Sequence, residues 1–480
     1  MKMDAGRYTR SSGDRILCRA CSRGIDLPRR WKCSLARGRS DCGDSRASEV
    51  GSTVGVGNQM RRLLHATAIC TALALEAPGR VTLVSGKARL FKSGNPLVFS
   101  GAVKRVEPGS LRAGDIVDVV DGADKLLGWG VYNPHSMYRV RLLASDEPAL
   151  LEHRDMSELV AHRIRSAAAV RSAAGLPSEE TTAYRLINGE GDRLSGLMVD
   201  VFDGVAVVVS SALWLERYRD EVSAAISSLP TVNRLEWRRS EARLKKDGWD
   251  PSEGGAQAEA AAAEAAAEAA VCVKENGLRY HVDVFGQKSG FYCDQRENRK
   301  ALAELCRGRA VLDLFCYSGG FSLGAARAGA ASCVGVDSSG AAVELATRNA
   351  ELNGLAATCR FTKADVMAFL QEAPPLSDVV ICDPPKYAPT VKDLTRAERK
   401  YRKLNSLAMR AVRPGGLLLT CTCSGAMTQS GGFERMLQDA ALAEGRSLTL
   451  LRRSGAASDH TLHPAYPEGH YLTAVLAVVH

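Results

Sequence analysis

The sequence predicts an α/β protein in which a small all-β domain and an α+β middle domain precede a mainly parallel sheet covered by helices. Its 480 residues are too many for one ordinary core and favour about three domains. Short apolar runs between turn signals such as Glu107-Pro-Gly109 fill residues 81–145 and indicate short strands. From residue 273 to His480 strands and helices alternate, which is the pattern of a parallel sheet covered on both faces.

The first 79 residues differ in composition from the rest of the chain. Residues 1–65 contain twelve Arg and two Lys against five Asp and one Glu, so they carry +8 of the formal net charge of +9. The remainder is nearly neutral, so overall basicity does not indicate nucleic-acid binding by the folded part. A basic, Ser-rich segment without apolar periodicity is typical of an organelle targeting sequence. An incorrectly assigned start before Met60, or an unstructured basic arm, would give the same composition.

The cysteines form two groups. The N-terminal extension contains Cys18, Cys21, Cys33 and Cys42, with Cys70 further along it. The second pair of this group lacks the short spacing of zinc ligands, and we expect no metal site. Nine further cysteines lie between Cys272 and Cys423, several of them in apolar runs, which favours buried thiols in a reducing compartment. No stretch approaches the roughly 18 apolar residues of a membrane span, so we expect no membrane-spanning segment.

The middle domain is predicted for residues 148–250, between an all-β domain at 80–147 and the C-terminal domain at 273–480. Apolar residues recur at helical spacing over 150–174. Strands are indicated at 197–200, 205–211 and 234–237, with a helix over 215–227. Residues 251–272 consist mainly of Ala and Glu, which predicts a helical spacer that is dispensable for chemistry.

A strand, a turn and a helix near the start of the C-terminal domain have the composition of a nucleotide-binding turn. The apolar strand that begins at Ala310 leads to Gly319 and Gly320, and a helix of small residues follows. Glycines at this place let a ligand approach the N–H groups of a helix N-terminus without a Cβ in the way. The turn alone is a weak signal, and it lacks the G-x-G-x-x-G spacing of dinucleotide sites.

Four acidic residues stand at the ends of successive strands, namely Asp313, Asp337, Asp365 and Asp383. Because the carboxyl ends of parallel strands meet at one edge of a sheet, we expect all four to face one crevice. Asp337 lies 24 residues beyond Asp313, where an acid can bind the two hydroxyls of a ribose. Each acid alone is also a common helix cap, but the four together favour a nucleotide site.

Two cysteines follow another apolar strand and are expected to face the same crevice as Asp383. These are Cys421 and Cys423, after the run at 417–420. A thiol at this place can act as a nucleophile, so it has a chemical use. Alternate residues of a strand point to the same side, so alternation does not choose between the two. Two buried core cysteines are the alternative.

With these acids and this turn, the C-terminal domain resembles a class I S-adenosylmethionine-dependent methyltransferase. The resemblance implies a Rossmann-like domain with a mixed seven-stranded sheet and an antiparallel edge strand at 471–479. It implies S-adenosylmethionine as cofactor, with Asp337 holding the ribose and Asp365 facing the adenine amino group. The cofactor residues it implies are Asp313, Phe315, Tyr317, Gly319, Gly320, Asp337, Asp365 and Asp383.

Segments across residues 81–480 resemble the bacterial large-subunit ribosomal RNA cytosine-C5 methyltransferases that carry a PUA domain. The matching segments are 99–102, 114–118, 130–141, 191–200, 275–278, 286–299, 423–427, 459–460 and 466–472. The family's Cys-Ser-Gly-x-Met segment matches at Cys423, which selects Cys423 over Cys421 as the nucleophile. The resemblance also implies a β-barrel-like PUA domain that binds RNA. Attack of the thiolate on carbon 6 of cytosine makes carbon 5 nucleophilic enough to accept a methyl group. Asp383, at the edge of the cytosine ring, would stabilise the charge that develops in the ring during this attack.

The sequence departs from related patterns at a few positions. Enzymes that methylate exocyclic amines often have an aromatic residue directly after the paired prolines, where this chain has Lys386 and then Tyr387. Amine chemistry is therefore less favoured. Leu97 replaces a usual aromatic residue and Thr461 a usual proline. These departures concern docking of the substrate rather than the nucleophile.

RNA is the expected partner, and we expect the target base to be flipped out or unpaired because a helix hides carbons 5 and 6. The residues predicted to contact RNA are Arg139, Arg141, Lys386 and Tyr387, with Arg238, Arg239 and Lys245 as further phosphate candidates. Ordinary solvated surface charge is the alternative for each. A homodimer is possible.

The predicted function is formation of 5-methylcytosine in large-subunit ribosomal RNA of an organelle, with the chloroplast favoured over the mitochondrion. If residues 1–79 reflect a wrongly assigned start, the cytoplasm is expected instead. A guanine methyltransferase acting on N7 or N2 is the enzymatic alternative. An RNA-binding assembly factor that has lost catalysis is the non-enzymatic alternative.

Overall fold

The computed structural model describes residues 78–145, 147–250, 271–284, 290–388 and 390–480, which lie within one unit spanning 75–480. The predicted targeting extension at 1–79 and its cysteine group lie almost wholly outside the described residues, as does most of the predicted spacer at 251–272.

The N-terminal part is the expected all-β domain, a sheet with the strand order β2-β6-β5-β4-β1-β3. Its strands are β1 (Gly79–Leu83), β2 (Leu97–Phe99), β3 (Val103–Glu107), β4 (Ile116–Val120), β5 (Leu126–Tyr132) and β6 (Tyr138–Ala144), with a short helix α1 (Arg89–Lys92). Neighbouring strands are antiparallel except β1 and β4. Alternate residues such as Val117 and Val119 fill the core of this domain, as the period of a half-buried strand requires.

The middle part has a four-stranded sheet with the order β10-β9-β8-β7, in which β9 and β10 are parallel. Its elements are α2 (Pro148–Glu152), α3 (Met156–Ala173), β7 (Ala183–Asn188), β8 (Leu197–Phe202), β9 (Val205–Ser210), α4 (Leu213–Arg217), α5 (Arg219–Ser227), β10 (Arg234–Arg239) and α6 (Glu241–Lys246). The long helix begins at Met156 rather than near residue 150 because the Asp155 side chain accepts hydrogen bonds from the N–H groups of Ser157 and Glu158. The helix expected at 215–227 is two helices that meet at Tyr218.

The C-terminal part begins with a hairpin and continues as a mixed seven-stranded sheet, as expected from the resemblance. Its strands are β11 (Val271–Glu275), β12 (Leu278–Val282), β13 (Ala310–Leu314), β14 (Ser332–Asp337), β15 (Cys359–Lys363), β16 (Ser377–Cys382), β17 (Val412–Thr422), β18 (Leu448–Ser454) and β19 (Thr473–Val479). Its helices are α7 (Arg296–Ala303), α8 (Gly320–Arg327), α9 (Gly340–Leu352), α10 (Val366–Gln371), α11 (Leu394–Arg410), α12 (Gly425–Ser430) and α13 (Phe433–Ala443). The order of the large sheet is β15-β14-β13-β16-β17-β19-β18.

The position predicted for the antiparallel strand is wrong. β19 runs antiparallel to both of its neighbours, but it lies between β17 and β18 and not at the edge of the sheet. β19 is apolar along nearly its whole length and is buried, which suits a strand with a neighbouring strand on each side. β18 carries Arg452 and Arg453, is mostly exposed, and suits the edge position.

The three parts share their cores. Apolar residues of β5 and β6, including Trp129 and Leu143, pack in one cluster with the middle part. On the other face of the middle sheet, Ala183, Phe202 and Val207 pack with the C-terminal part. This shared packing fixes the walls of the cleft described below.

The nine cysteines between Cys272 and Cys423 form no disulfide, and most of them are buried in strands and core clusters, as expected. No helix within the described ranges is long and apolar enough to cross a membrane.

Candidate active site

The four strand-end acids lie at the carboxyl ends of neighbouring strands, because β15, β14, β13 and β16 are adjacent in the sheet. Asp313 is turned into the protein and is buried. It accepts hydrogen bonds from the backbone N–H and the hydroxyl of Ser322, at 3.0 and 2.7 Å. Burial raises the pKa of Asp313 to about 6. Asp313 therefore anchors the start of α8 and acts on a ligand through the position of the turn.

The turn between β13 and α8 is held in an unusual backbone conformation. Phe315 and Tyr317 have φ angles of 62° and 48°, in the left-handed region that residues other than glycine rarely adopt. Asp337, at the end of β14, stabilises this turn by accepting the Tyr317 N–H at 3.0 Å. Its other oxygen accepts the N–H of Ser339 at 2.9 Å. Non-glycine residues in such conformations cluster at ligand sites.

The two glycines of the turn are required for a reason other than the expected one. Gly319 has φ 80°, and an added Cβ would lie 3.0 Å from the Phe361 ring and 3.2 Å from Cβ of Ala346. An added Cβ on Gly320 would lie 2.9 Å from Cδ of Arg299. Protein side chains therefore fill the space on the Cβ side of both glycines.

The strand-end residues fit S-adenosylmethionine. Each oxygen of the Asp337 carboxylate accepts one backbone hydrogen bond. Each can accept a second hydrogen bond, from a ribose hydroxyl. Asp365 is exposed at the end of β15 and caps α10 through the Ala368 N–H, at 2.9 Å, so the helix-cap role also applies. Phe315 and Tyr317 are each partly accessible beside these carboxylates.

Asp383 follows β16 and is only partly accessible. Burial and the nearby charge of Asp294 raise its pKa to about 7, although Gln295 Nε2 donates to its Oδ2 at 3.1 Å and opposes the shift. Asp383 is therefore neutral in a large fraction of molecules near pH 7. A neutral carboxyl can donate a hydrogen bond to a ring nitrogen, which a carboxylate cannot do.

The structure distinguishes the two cysteines. Cys421 lies within β17, is fully buried in a core cluster, and has its pKa raised by that burial. Cys423 lies just past the end of β17 and is partly accessible. Its Sγ is 3.9 Å from the carbonyl oxygen of Pro384, which directly follows Asp383. Of the two thiols, only Cys423 lies where a substrate base can reach it.

Cys423 opens into a cleft of about 730 Å³ that all three parts of the chain line. Tyr138 and Arg141 come from the N-terminal sheet, and Arg185 comes from the middle part. The C-terminal part contributes Lys386, Tyr466 and Tyr471. Aromatic rings and cations around a thiol are the groups expected for a nucleotide base and its phosphates.

The two arginines predicted to bind RNA lie in different surroundings. The Arg139 guanidinium donates to the carbonyl oxygens of Pro134 and Ser136, so its binding groups hold the loop that precedes β6. Arg141 lines the cleft but is nearly buried. Its NH1 donates to Ser195 Oγ at 2.8 Å, and its NH2 is 3.6 Å from Asp247. Arg141 thus joins the first two parts of the chain while presenting one side to the cleft.

Lys386 and Tyr387 also lie in different surroundings. Lys386 is exposed and lines the cleft. Tyr387 packs against Tyr401 with ring centroids 4.9 Å apart, and the Lys400 ammonium lies over its outer face. Tyr387 was predicted to contact RNA, and these two side chains occupy part of the ring surface that such a contact would use.

The further phosphate candidates are largely engaged within the protein. Arg238 donates to the Val284 carbonyl oxygen. Arg239 donates to Glu216 at 2.6 Å, and the Lys245 ammonium is 3.3 Å from Glu241. The predicted alternative of ordinary charged contacts describes these three better than an RNA surface does.

Sequence reasoning assigned no role to Gln295, which binds Asp383, or to the hydrogen-bonded pair formed by Asp294 and Tyr471. The Tyr471 hydroxyl donates to Asp294 Oδ2 at 2.8 Å, and Gln295 binds Asp383. These residues lie in segments 286–299 and 466–472, whose resemblance to the family was the only signal available. Within the described residues, no three His, Cys, Asp or Glu side chains are grouped so as to hold a metal ion.

Two family models match the chain. A PUA-like domain matches residues 81–145, and an S-adenosylmethionine-dependent methyltransferase matches residues 192–461. A proposed S-adenosylmethionine-dependent methyltransferase from Streptococcus mutans has the same fold, with TM-score 0.67, 22% identity, and coverage of 83% of this chain and 99% of that one. A proposed methyltransferase solved with S-adenosylhomocysteine has TM-score 0.66, 22% identity and the same coverage.

Curated bacterial proteins match over most of the chain. The ribosomal RNA large subunit methyltransferase I of Shewanella denitrificans is 36% identical over 406 residues, which are 83% of this chain and 99% of that protein. The protein of the same name from Photobacterium profundum is 35% identical over 397 residues, 82% of this chain and 97% of that protein. With the strand-end acids and the PUA-like domain, these matches show that the chain belongs to the S-adenosylmethionine-dependent methyltransferase family that includes these bacterial proteins.

Proposed function

We propose that this enzyme methylates carbon 5 of a cytosine in large-subunit ribosomal RNA, with Cys423 as the nucleophile. The observation that carries the proposal is that Cys423 lines the cleft, with its Sγ 3.9 Å from the carbonyl oxygen of Pro384, the residue after Asp383, while Cys421 is buried in the core. A methyltransferase that acts on an exocyclic amine or on a ring nitrogen needs no thiol at this place. The names of the curated relatives support the substrate class.

Cys423 and Asp383 support the first steps of this chemistry. The Cys423 thiolate bonds to carbon 6, and electron density moves to carbon 5. Neutral Asp383 donates a hydrogen bond to the ring nitrogen N3 and so stabilises the negative charge that develops in the ring. S-adenosylmethionine, when bound, supplies the methyl group on a sulfonium. Loss of the proton from carbon 5 then allows the carbon–sulfur bond to break.

The cleft favours an unpaired or flipped base. Carbons 5 and 6 of a paired cytosine are hidden from a pocket at the end of a sheet. Tyr138 and Tyr466 line the cleft with aromatic side chains, and Lys386 supplies a cation. Stacking on such rings is worth about 1–3 kcal/mol per base and requires an unstacked nucleotide.

Substitution of the two cysteines tests the nucleophile. Cys423→Ala is expected to lower methyl transfer to large-subunit ribosomal RNA by roughly 10³-fold or more, because no other group can form the carbon 6 bond. Cys421→Ala is the matched control and is expected to keep most activity, since its side chain only fills the core. Transfer of labelled methyl groups measures both. Full activity of Cys423→Ala would exclude the cytosine mechanism and favour guanine as the target.

Bisulfite sequencing of ribosomal RNA from cells with and without the gene identifies the base. Loss of one 5-methylcytosine from large-subunit RNA is the expected result. An unchanged map would contradict the proposal.

We also propose an organelle as the site of action, with the chloroplast ahead of the mitochondrion. The basic composition of residues 1–65 and the bacterial character of the curated relatives support this proposal. The same sequencing, carried out separately on organellar and cytosolic ribosomal RNA, tests it. Loss of the mark from cytosolic RNA alone would contradict it.

A further inference from the structure

Cytosine methylation leaves one proton on carbon 5, and a group in the site must take it before the thiol can leave. Neither Cys423 nor Asp383 is suited to this step. Cys423 is bonded to carbon 6 at that stage, and Asp383 is engaged at the N3 edge of the ring. This inference rests on the proposed function and assigns a step that the function leaves open.

Tyr471 and Asp294 form a hydrogen-bonded pair at the cleft. Tyr471 lines the cleft together with Cys423. Its hydroxyl donates to Asp294 Oδ2 at 2.8 Å. Among the described residues, Asp294 Oδ1 is buried and accepts no hydrogen bond. A buried acceptor without a donor carries a free-energy cost.

The pair is linked to the residues of the proposed mechanism. Asp294 is followed directly by Gln295, which donates to Asp383 at 3.1 Å. The charge of Asp294 is also one cause of the raised pKa of Asp383, which places the two carboxyl groups near each other. Cys423 Sγ, in turn, is 3.9 Å from the carbonyl oxygen of Pro384, the residue after Asp383. The phenol, both carboxyl groups and the thiol therefore belong to one connected site.

The phenol alone is a poor base. Burial and the charge of Asp294 both raise the pKa of Tyr471, so the hydroxyl keeps its proton at neutral pH. It can accept a second proton only while it passes its own to a neighbour. Asp294, at 2.8 Å, is the acceptor of that existing hydrogen bond.

We propose that Tyr471 and Asp294 relay the carbon 5 proton out of the methylated adduct. The C5–H bond breaks and its electron pair forms the C5–C6 double bond. The C6–S bond breaks, and its electron pair returns to Cys423 as a thiolate. The proton from carbon 5 goes to the Tyr471 oxygen as the phenolic proton moves to Asp294 Oδ2. Asp294 becomes neutral and later releases the proton to water.

A purely structural role for the same hydrogen bond has a different signature. Tyr471 precedes β19, and the Asp294 carbonyl oxygen accepts the N–H of Ala457 at 2.8 Å, so both residues also help to hold the C-terminal segment. If the bond only held that segment, its loss would slow adduct formation and adduct release together. A relay affects release alone.

The test uses the full chain, S-adenosylmethionine and a large-subunit ribosomal RNA transcript containing [5-³H]cytidine. Tyr471→Phe is expected to form the covalent protein–RNA adduct at the wild-type rate. Release of tritium should be slower by roughly 10²- to 10⁴-fold, the range for loss of a general acid–base group, so the adduct accumulates. Gel shift under denaturing conditions measures the adduct, and tritium in water measures release.

Tyr184→Phe is the matched control, because it removes a hydroxyl bond of another buried tyrosine, to Thr231 in the middle part at 3.4 Å. It should release tritium at the wild-type rate. Release by Tyr471→Phe at the wild-type rate, or a proportional loss of formation and release, would overturn the relay.

Asp294→Asn provides a second variant in case Tyr471→Phe folds poorly. The amide oxygen of Asn can still accept the Tyr471 hydroxyl, but the side chain cannot take a proton. Its removal of charge also lowers the pKa of Asp383, so the ratio of release to formation is the informative quantity. That ratio should fall as it does in Tyr471→Phe, and an unchanged ratio contradicts the relay.

Failure of the proposed function has a separate signature. In that case the wild-type enzyme forms no adduct with RNA containing 5-fluorocytidine, and Cys423→Ala retains methyl transfer. That result would overturn the proposed function and the relay together, whereas the Tyr471→Phe result overturns the relay alone.

Discussion

At the scale of single residues, the protonation of Asp383 links chemistry to stability. Burial makes the charged form costly, and the nearby Asp294 adds repulsion, so the pKa rises to about 7. In the unfolded chain the pKa of an Asp is about 3.9. Between these values the folded state binds more protons than the unfolded state. The free energy of unfolding therefore decreases as the pH rises from about 4 to about 7.

Asp383→Asn is predicted to remove this pH dependence. The Asn side chain does not titrate, so the variant should gain stability relative to the wild type by about 3 kcal/mol between pH 4.5 and pH 8. Urea unfolding at the two pH values measures the difference. Asp124→Asn, which changes an exposed carboxyl that is 65% accessible, is the control and should leave the pH dependence unchanged. An equal pH dependence in wild type and Asp383→Asn would contradict the assignment.

Sequence alone could identify the residue types of the site but not the accessibility of each side chain. Cys421 and Cys423 have the same strand parity, and family resemblance was needed to choose between them. The structure separates them because β17 ends at Thr422, which leaves Cys423 outside the ladder of the sheet. Arg139 was predicted as an RNA contact because it is basic, but the nearby loop carbonyls that it binds are not visible in the sequence.

At the scale of secondary-structure elements, one aromatic ring packs against both β14 and the turn between β13 and α8. Phe361 of β15 pairs in register with Gly335 of β14, and its ring covers the space beside that glycine. The same ring is in contact distance of the Cβ position at Gly319. A ring that rests on two glycines therefore holds β14, β15 and the turn together.

Gly335→Ala is predicted to destabilise the protein by about 1–3 kcal/mol through overpacking. The added Cβ would lie 2.4 Å from the Phe361 ring, which has to move. In the Phe361→Leu background the same substitution should cost much less, because a smaller side chain leaves space. Denaturant unfolding of the two single variants and the double variant gives the coupling energy.

Gly101→Ala is the control for this prediction, since an added Cβ there meets nothing within 4 Å. It should change the free energy of unfolding little. If Gly335→Ala costs the same with Phe361 or Leu at position 361, the proposed contact does not carry the effect.

The sequence predicted most elements of the fold but not all of their places. Periodicity and turn residues located the strands and helices, because these signals are local. β19 lies inside the sheet because it pairs with β17 on one side and with β18 on the other. Its pairing with β18, which comes earlier in the chain, is not a local signal. The break at Tyr218 and the late start of α3 also depend on single caps and contacts that leave the apolar pattern almost unchanged.

At the scale of the whole molecule, a buried carboxylate connects the middle part to the C-terminal part. Asp459 Oδ2 accepts the backbone N–H of Arg185 and Arg296 NH1, both at 2.8 Å. Its carbonyl oxygen accepts Arg171 NH2 at 2.6 Å. Burial would raise the pKa of Asp459, but His460 and Arg296 outweigh that effect and hold it well below its usual range.

Thr461, which departs from the family pattern, strengthens this connection. Its hydroxyl donates to Asp192 Oδ2 at 2.9 Å, and its carbonyl oxygen accepts Asn188 Nδ2 at 2.9 Å. Asp192 is in turn the ion-pair partner of Arg171. The Thr461 hydroxyl therefore adds a contact between the two parts, whereas the sequence indicated only that this departure concerns docking of the substrate. Such a contact between distant segments has no local signal in the sequence.

Asp459→Ala is predicted to destabilise the protein by about 3–5 kcal/mol at pH 7, because it leaves the buried Arg296 without its partner. The pKa of Asp459 is lowered on folding, so its contribution is present above about pH 4 and is lost as the pH falls further. The variant should therefore lose less stability than the wild type between pH 5 and pH 2.5. Ser458→Ala, which removes an exposed bond to Glu297, is the control and should cost under about 1 kcal/mol. Equal losses in the two variants at pH 7 would show that Asp459 does not join the two parts.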